Sequence, residues 1–277
     1  MPVRSQSARP VPRALGLLAA LALLAGLVTA PPSSADPEVS ISAQSERILT
    51  GLLSTRNQMQ AQSVSARAAL LSADFLGTPY GANTLIGSAT QPEQLVVELG
   101  RVDCFTFADY VEALKRGGDR EEFLDGLVDV RYRDGVVDFA HRKHFFTDWA
   151  AVGPAVATDV TPSLGDGVVA VTKKLNQKDS GGTYLDGIPV VTRQVSYLPS
   201  NAVDAAVLGK LRTGDYLGAY ATDGGLDVTH VGVYIDTPDG PMFRNASSLS
   251  GDRQVVDTPL TGYLATVPGI VVLRPVM

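Results

Sequence analysis

The hydrophobic period of this sequence changes once along its length, and that change limits the fold more than any other feature. Through the first half, apolar residues recur at intervals of three and four, the spacing of a helix with one buried face. From about Gly167 the pattern becomes short runs of β-branched and aromatic residues. The candidate strands are 168–171, 188–197, 216–221, 228–235, 241–246, 254–256 and 270–273. Asp239-Gly240 is a strong hairpin signal between two of them, and a helix over 201–211 interrupts the series. Helices first and an antiparallel sheet second describe an α+β fold.

Within the helical half, residues 39–75 read as two helices. Ile48, Leu49, Leu52 and Leu53 make one stripe, and Val64, Ala68, Leu71 and Phe75 make the other. Leu76-Gly77-Thr78-Pro79-Tyr80-Gly81 then breaks the helix. A short helix is expected over 92–99, another over 119–127, and a strand over 128–132 that ends at the Arg133-Asp134-Gly135 turn. Residues 141–149 form a dense cluster of polar and aromatic side chains.

Residues 1–35 have the pattern of an export signal. Arg4, Arg9 and Arg13 precede the apolar run 14–28, and Ser33-Ser34-Ala35 before Asp36 resembles a cleavage site. The run is short for a membrane span, which takes roughly 20 apolar residues. The expectation is an exported protein, secreted, periplasmic or cell-wall associated, with no stable membrane anchor after cleavage and one catalytic domain over 36–277; an uncleaved N-terminal anchor is the alternative. Its charge would be −9, from 20 basic and 29 acidic residues. No basic run occurs in it, which argues against a nucleic-acid partner.

The single cysteine, Cys104, begins one of the helices. Asp103 is suited to cap that helix. Phe107, Ala108, Val111 and Leu114 follow at i+3, i+4, i+7 and i+10, Glu112 can pair with Arg116, and Gly117-Gly118 marks the stop. A lone cysteine is ordinarily a small buried hydrophobe. A helix N-terminus favours the thiolate, and two features favour a chemical use: a free thiol is a liability in an oxidising compartment, and a histidine lies on a strand far downstream.

The second of the reactive side chains lies on the run V-T-H-V-G-V-Y-I. Period-two alternation puts Val231, Val233 and Ile235 on one face and Val228, His230, Gly232 and Tyr234 on the other. Gly232 leaves open space beside the ring, suited to packing of a helix N-terminus on that face. The hairpin brings Asn245 back alongside, within reach of His230. Cysteine as nucleophile, histidine as base and asparagine as orienter are the parts that thiol acyl transfer needs, with the Cys104 N–H available to an oxyanion.

Six segments in order resemble the DUF1460 family, a branch of the NlpC/P60 papain-like peptidoglycan hydrolases. They are F-L-G-T-P-Y (75–80), V-D-C-F-T-F (102–107), R-Y-R-D-G (131–135), R-K-H-F-F-T-D-W (142–149), T-G-D-Y (213–216) and D-V-T-H-V-G (227–232). The resemblance implies a papain-like core and an N-acetylmuramoyl-L-alanine amidase acting on peptidoglycan or muropeptides. It implies Cys104 as nucleophile, His230 as base and Asn245 as third residue, although family members often have His-Ala-Ser where this chain has Asn245-Ala246-Ser247. Tyr80 is similar to a tyrosine lining the pocket near the cysteine. Asp103, His144 and Trp149 are expected as further substrate contacts, with Phe145 and Phe146 beside them. No cofactor is implied. His141 and His144 with Asp138 or Asp148 lack any recognised metal-ligand spacing, so no metal is expected. The alternatives are an endopeptidase cutting within the stem peptide, a catalytically weak wall-binding module, and thioester acyl transfer to lipids.

Overall fold

The strand bearing His230 lies inside an antiparallel sheet, with the Cys104 helix packed on one side of it. The structure, a computed structural model, describes residues 1–2, 38–59 and 61–276. The export signal expected over 1–35 lies, apart from its first two residues, outside the described residues. All the elements below belong to the unit Pro37–Met277.

The chain opens with β1 (Val39–Ile41), α1 (Ala43–Gln58) and α2 (Val64–Ala73). Ser42 and Ser63 cap the two helices, each accepting from a backbone N–H three residues on. Next come β2 (Leu95–Val97), α3 (Cys104–Arg116), α4 (Arg120–Arg131) and the short α5 (Asp148–Ala151). The second half is β3 (Ala157–Asp159), β4 (Val169–Leu175), β5 (Val191–Pro199), α6 (Ala205–Leu208), β6 (Tyr216–Tyr220), β7 (Val228–Thr237), β8 (Gly240–Ala246), β9 (Val255–Pro259), α7 (Leu260–Leu264) and β10 (Gly269–Pro275). The sheet order is β4-β5-β10-β6-β7-β8-β9, with β3 paired to β10, and every pairing in it is antiparallel. This is the α+β arrangement expected from the change of period.

Several local expectations are corrected. Residues 92–99 hold no helix; Leu95–Val97 is the strand β2, paired in parallel with β1, and all three residues are buried. An apolar run with no polar face reads alike as strand or helix, and here its partner is the Val39–Ile41 stretch that looked like the start of a helix. No strand occupies 128–132. Helix α4 runs on to Arg131, because Phe123, Leu127 and Val130 keep the helical interval and all three are buried. The helix over 201–211 shrinks to Ala205–Leu208.

Helix α3 is buried along almost its whole circumference, from Thr106 to Lys115. Its apolar residues share one core with Val231, Val233 and Ile235 of β7, and with α1, α2 and α4. Its charges are paired. Asp109 receives Arg131 at 2.8 Å, while Glu112 holds Lys115, Arg116 and the Tyr216 hydroxyl. The opposite face of the sheet carries a second core of Leu217, Tyr234, Phe243, Leu260, Leu264, Ile270 and Val272. Helix α3 therefore packs on the valine face of β7 and not on the His230–Gly232 face. Gly232 makes room for something else: a Cβ there would lie 2.6 Å from the Phe243 ring and 2.5 Å from the Arg244 carbonyl.

Candidate active site

Cys104 is the first residue of α3, and the loop before it is fixed by a reciprocal cap. The Asp103 carboxylate accepts from Phe105 N (3.1 Å), Thr106 N (2.8 Å) and Thr106 Oγ1 (2.8 Å), and Thr106 Oγ1 accepts from Asp103 N (3.0 Å). The N–H groups of Cys104, Phe105 and Val231 lie close enough to the sulfur to stabilise its anion. They do not prevail. Burial, reinforced by the Asp103 carboxylate, pushes the thiol up to about 11. The helix terminus alone points the other way, so the resting group is a neutral thiol and not the thiolate expected from the sequence.

Across the same cavity, β7 presents His230 just past an irregularity. The β6–β7 register slips between Ala219 and Tyr220, so that His230 pairs with Ala219 while Val228 pairs with Tyr220. Bulges of this kind re-aim side chains at sheet ends. The His230 Nε2 lies 2.9 Å from Asn245 Oδ1. Asn245 is buried, and its Nδ2 donates to the Phe243 carbonyl (3.1 Å) and to Thr258 Oγ1 (3.2 Å). With the amide thus oriented, Oδ1 accepts from Nε2–H, and Nδ1 is left as the basic nitrogen. Burial lowers the His230 pKa despite Asn245 and Asp103, so the imidazole is neutral at pH 7.

Cys104 and His230 line one cavity of about 250 Å³ whose walls are mostly apolar. Phe105, His144, Phe145, Phe146, Tyr184, Leu185 and the 226–231 segment complete its lining. His144 has its Nε2 2.8 Å from the Phe139 carbonyl and its ring edge-on to Phe139, and burial pushes it down to about 4. It is a neutral donor whose bond is already made, facing the cavity with the rest of the ring. Burial raises the Tyr80 phenol, with smaller contributions from negative charge at the neighbouring Cys104 and Asp103 positions, and Arg253 covers its ring at 5.1 Å.

Trp149 does not reach the cavity, which corrects its expected role as a substrate contact. It is completely buried, stacked near Phe105 and edge-on to Tyr216 at 4.9 Å. His141 is set apart too, at the surface beside Asp138 (3.1 Å). Among the described residues, no group of three or more His, Cys, Asp and Glu side chains is gathered as a metal ion would need.

Two site neighbours went unread in the sequence. Tyr263 of α7 stacks on Phe243 at 4.4 Å, lies 6.4 Å from the His230 ring, and has its phenol raised by burial and by the nearby thiol. Nothing in T-G-Y-L distinguishes that tyrosine from an ordinary surface aromatic. Asp227 is buried and accepts from Thr147 N (2.7 Å), Thr147 Oγ1 (2.8 Å) and Val228 N (2.8 Å). It thereby ties the D-V-T-H-V-G segment to R-K-H-F-F-T-D-W. Asp148 continues the link to Arg193 of β5. The signal was present in two motifs far apart in sequence, and only their contact explains both.

A sequence model of the AmiA-like family, described as N-acetylmuramoyl-L-alanine amidase-like, matches residues 70–270. The chain is similar to a crystal structure of an N-acetylmuramoyl-L-alanine amidase from Bacteroides uniformis, with 27% identity and a TM-score of 0.65 over 77% of this chain and 99% of the other. A chain from Bacteroides fragilis named as a xylanase is 27% identical with a TM-score of 0.58, over 73% and 98%. A DUF1460 protein from Legionella pneumophila is 20% identical with a TM-score of 0.70, over 84% and 95%, a likeness of fold alone. No curated protein sequence matches.

Proposed function

We propose, from the premise that the chain belongs to the AmiA-like, N-acetylmuramoyl-L-alanine amidase-like family, that it is a cysteine amidase of peptidoglycan. The bond cut is the amide between the lactyl group of N-acetylmuramic acid and L-alanine. The observation that carries this reading is the meeting of Cys104 with the Asn245-bound His230 on one apolar cavity. We read the helix-on-sheet core as papain-like, of the NlpC/P60 type, and the protein as exported by cleavage of residues 1–35.

The chemistry follows from the resting protonation states. His230 Nδ1 takes the thiol proton as the sulfur attacks the lactyl carbonyl carbon, so a neutral pair becomes an ion pair only when substrate is present. The Cys104 N–H holds the oxyanion. Collapse of the tetrahedral species expels the alanine amine, which receives the proton from the imidazolium. Water then gives its proton to His230 and attacks the thioester, releasing the lactyl carboxylate and restoring the thiol.

The xylanase name of one relative does not suit this site. Glycoside hydrolysis uses two carboxyl groups roughly 5 to 10 Å apart across the bond. The cavity has one carboxylate, Asp227, and Thr147 and Val228 already occupy it.

Mass spectrometry of purified muropeptides incubated with the protein and with Cys104→Ala tests the reading. The expected products are a peptide beginning with L-alanine and a muramic acid with a free lactyl carboxylate, from the wild type only. Shorter peptides would move the cut into the stem, and cleavage by Cys104→Ala would remove the thiol from the mechanism.

A further inference from the structure

Positive charge gathers at one place in this acidic protein, and that place is not the thiol cavity. Lys115 is the last residue but one of α3, so it stands roughly 16 Å along the helix from Cys104, at the opposite end. It lines a separate cavity of about 130 Å³ with Ser65 of α2, Arg212 and Thr213 of the turn before β6, and Arg274 of β10. No residue of this lining is shared with the cavity of Cys104 and His230. Thr213 opens the T-G-D-Y segment, which takes no part in the thiol chemistry.

The carboxylates at this end of α3 are already occupied. Glu112, wholly buried, holds Lys115, Arg116 (3.1 Å) and the Tyr216 hydroxyl (3.0 Å). Asp215, also buried, accepts from Arg274 Nε (2.8 Å), Arg274 Nη2 (2.7 Å) and Arg212 N (2.9 Å). Asp236 of β7 is exposed and does not line the cavity. Its N–H is taken by Thr213 Oγ1 (2.9 Å), which leaves the threonine O–H to donate. Two carboxylates thus meet Lys115, Arg116, Arg212 and Arg274, with Arg67 of α2 near enough to Lys115 to disfavour its charge.

Donors are left over as well as charge. Lys115 is 1% exposed, and among the described residues its ammonium makes one hydrogen bond, to Glu112, of the three it can donate. Arg212 bonds Asp215 through its backbone alone, and its side chain is exposed at the mouth. Burial lowers the Lys115 pKa against the pull of Glu112, and Arg116 and Arg67 add to the lowering. A buried cation with unfilled donors is costly, and an anion in the cavity would relieve it. The start of α2 adds to the attraction. Ser63 satisfies the N–H groups of Ala66 and Arg67, which leaves those of Val64 and Ser65, both on the cavity wall, with no helical partner.

At about 130 Å³ the cavity is well below the roughly 300 Å³ of a drug-sized pocket and holds one small group. A planar carboxylate is matched by a single arginine fork, as Asp215 is by Arg274. Donors arriving from α2, α3, the turn and β10 suit an anion with oxygens on every side. Gly214 keeps the turn close against α2: its φ of 96° lies in the left-handed region, and a Cβ there would come 2.9 Å from that of Ala68. We propose that this cavity is an anion site for a phosphate group, presented free or at the end of a small phosphomonoester. Because Lys115 has almost no exposed surface, the phosphate must enter end-on, which a diester within a polymer chain does not allow. The site stands independently of the amidase reading.

Isothermal titration of the protein with inorganic phosphate, at an ionic strength held at about 0.15 M with sodium chloride, tests the site. Saturable binding is expected, and Tm should rise as phosphate increases. Arg212→Glu reverses an exposed charge at the mouth and keeps the backbone bond to Asp215. It should weaken phosphate about tenfold, and Arg212→Lys should hold affinity within about threefold of wild type. Arg212→Gln, which only removes the charge, should weaken binding about threefold and decides the matter if the reversed charge disturbs the fold. Tighter binding of glycerol 3-phosphate than of inorganic phosphate assigns the site to phosphomonoesters, and equal or weaker binding assigns it to free phosphate; either supports it. No saturable binding, or binding indifferent to Arg212, overturns the site. Acetate competing as well as phosphate overturns its preference for a tetrahedral anion.

Discussion

At the scale of single residues, the site turns on a contest around one sulfur. The start of α3 lowers the thiol pKa, while burial and Asp103 raise it, and the second pair wins. Asp103→Asn separates the cap from the charge, because asparagine caps about as well as aspartate. We expect the variant to keep its stability while the pH midpoint of iodoacetamide reaction at Cys104 moves downward. The sign is direct: removing a neighbouring negative charge eases formation of the thiolate. An unmoved midpoint would mean that burial alone sets the value. Cys104 at a capped helix start was legible from D-C-F-T-F, whereas its resting protonation was not, because burial is contributed by residues distant in sequence. Asn245 was legible through hairpin arithmetic. The bond it makes with His230 uses side chains on the same face of paired strands.

At the scale of elements, the aromatic cluster 141–149 divides into wall and anchor. Phe145, Phe146 and His144 face the cavity, while Trp149 faces inward and fastens α5 to Phe105 of α3 and Tyr216 of β6. Trp149→Ala should therefore cost about 3–5 kcal/mol in urea unfolding, as the loss of a fully buried aromatic does. Weakened substrate binding with unchanged stability would show the anchor role to be mistaken. The sequence pattern could not separate these aromatics, since the segment has too little regular structure to impose a period. The same limit explains β2: three buried apolar residues fit either period, and the parallel partner that decides between them lies more than fifty residues upstream. Helix α4 was cut short for a related reason. Val128 and Val130 alternate like a strand, and Arg131, which looks like a surface residue, is buried against Asp109.

At the scale of the whole molecule, the net charge, −6 for the full sequence and −9 without residues 1–35, bears on how the protein meets its substrate. An acidic protein gains no long-range attraction toward an anionic wall polymer, so recognition rests on short-range contacts. Raising salt from about 0.01 M to about 0.15 M shortens the Debye length from roughly 30 Å to 8 Å and should leave turnover of intact cell wall unchanged or faster. A steep fall would reveal an attractive electrostatic component that this charge balance does not supply. The sequence by itself determined the elements whose signals are local: the capped α3 with its cysteine, the β7–β8 hairpin, and the helical first half before an antiparallel second. Tertiary structure alone decided which side of β7 the helix covers, that Gly232 yields its space to Phe243, that Asp227 holds Thr147, and that Lys115, Arg212 and Arg274 meet at one cavity. The reason is physical. Caps, turns and periodicity act over a few residues and are written there. Burial, close approach and pKa depend on what the rest of the chain brings to the same place.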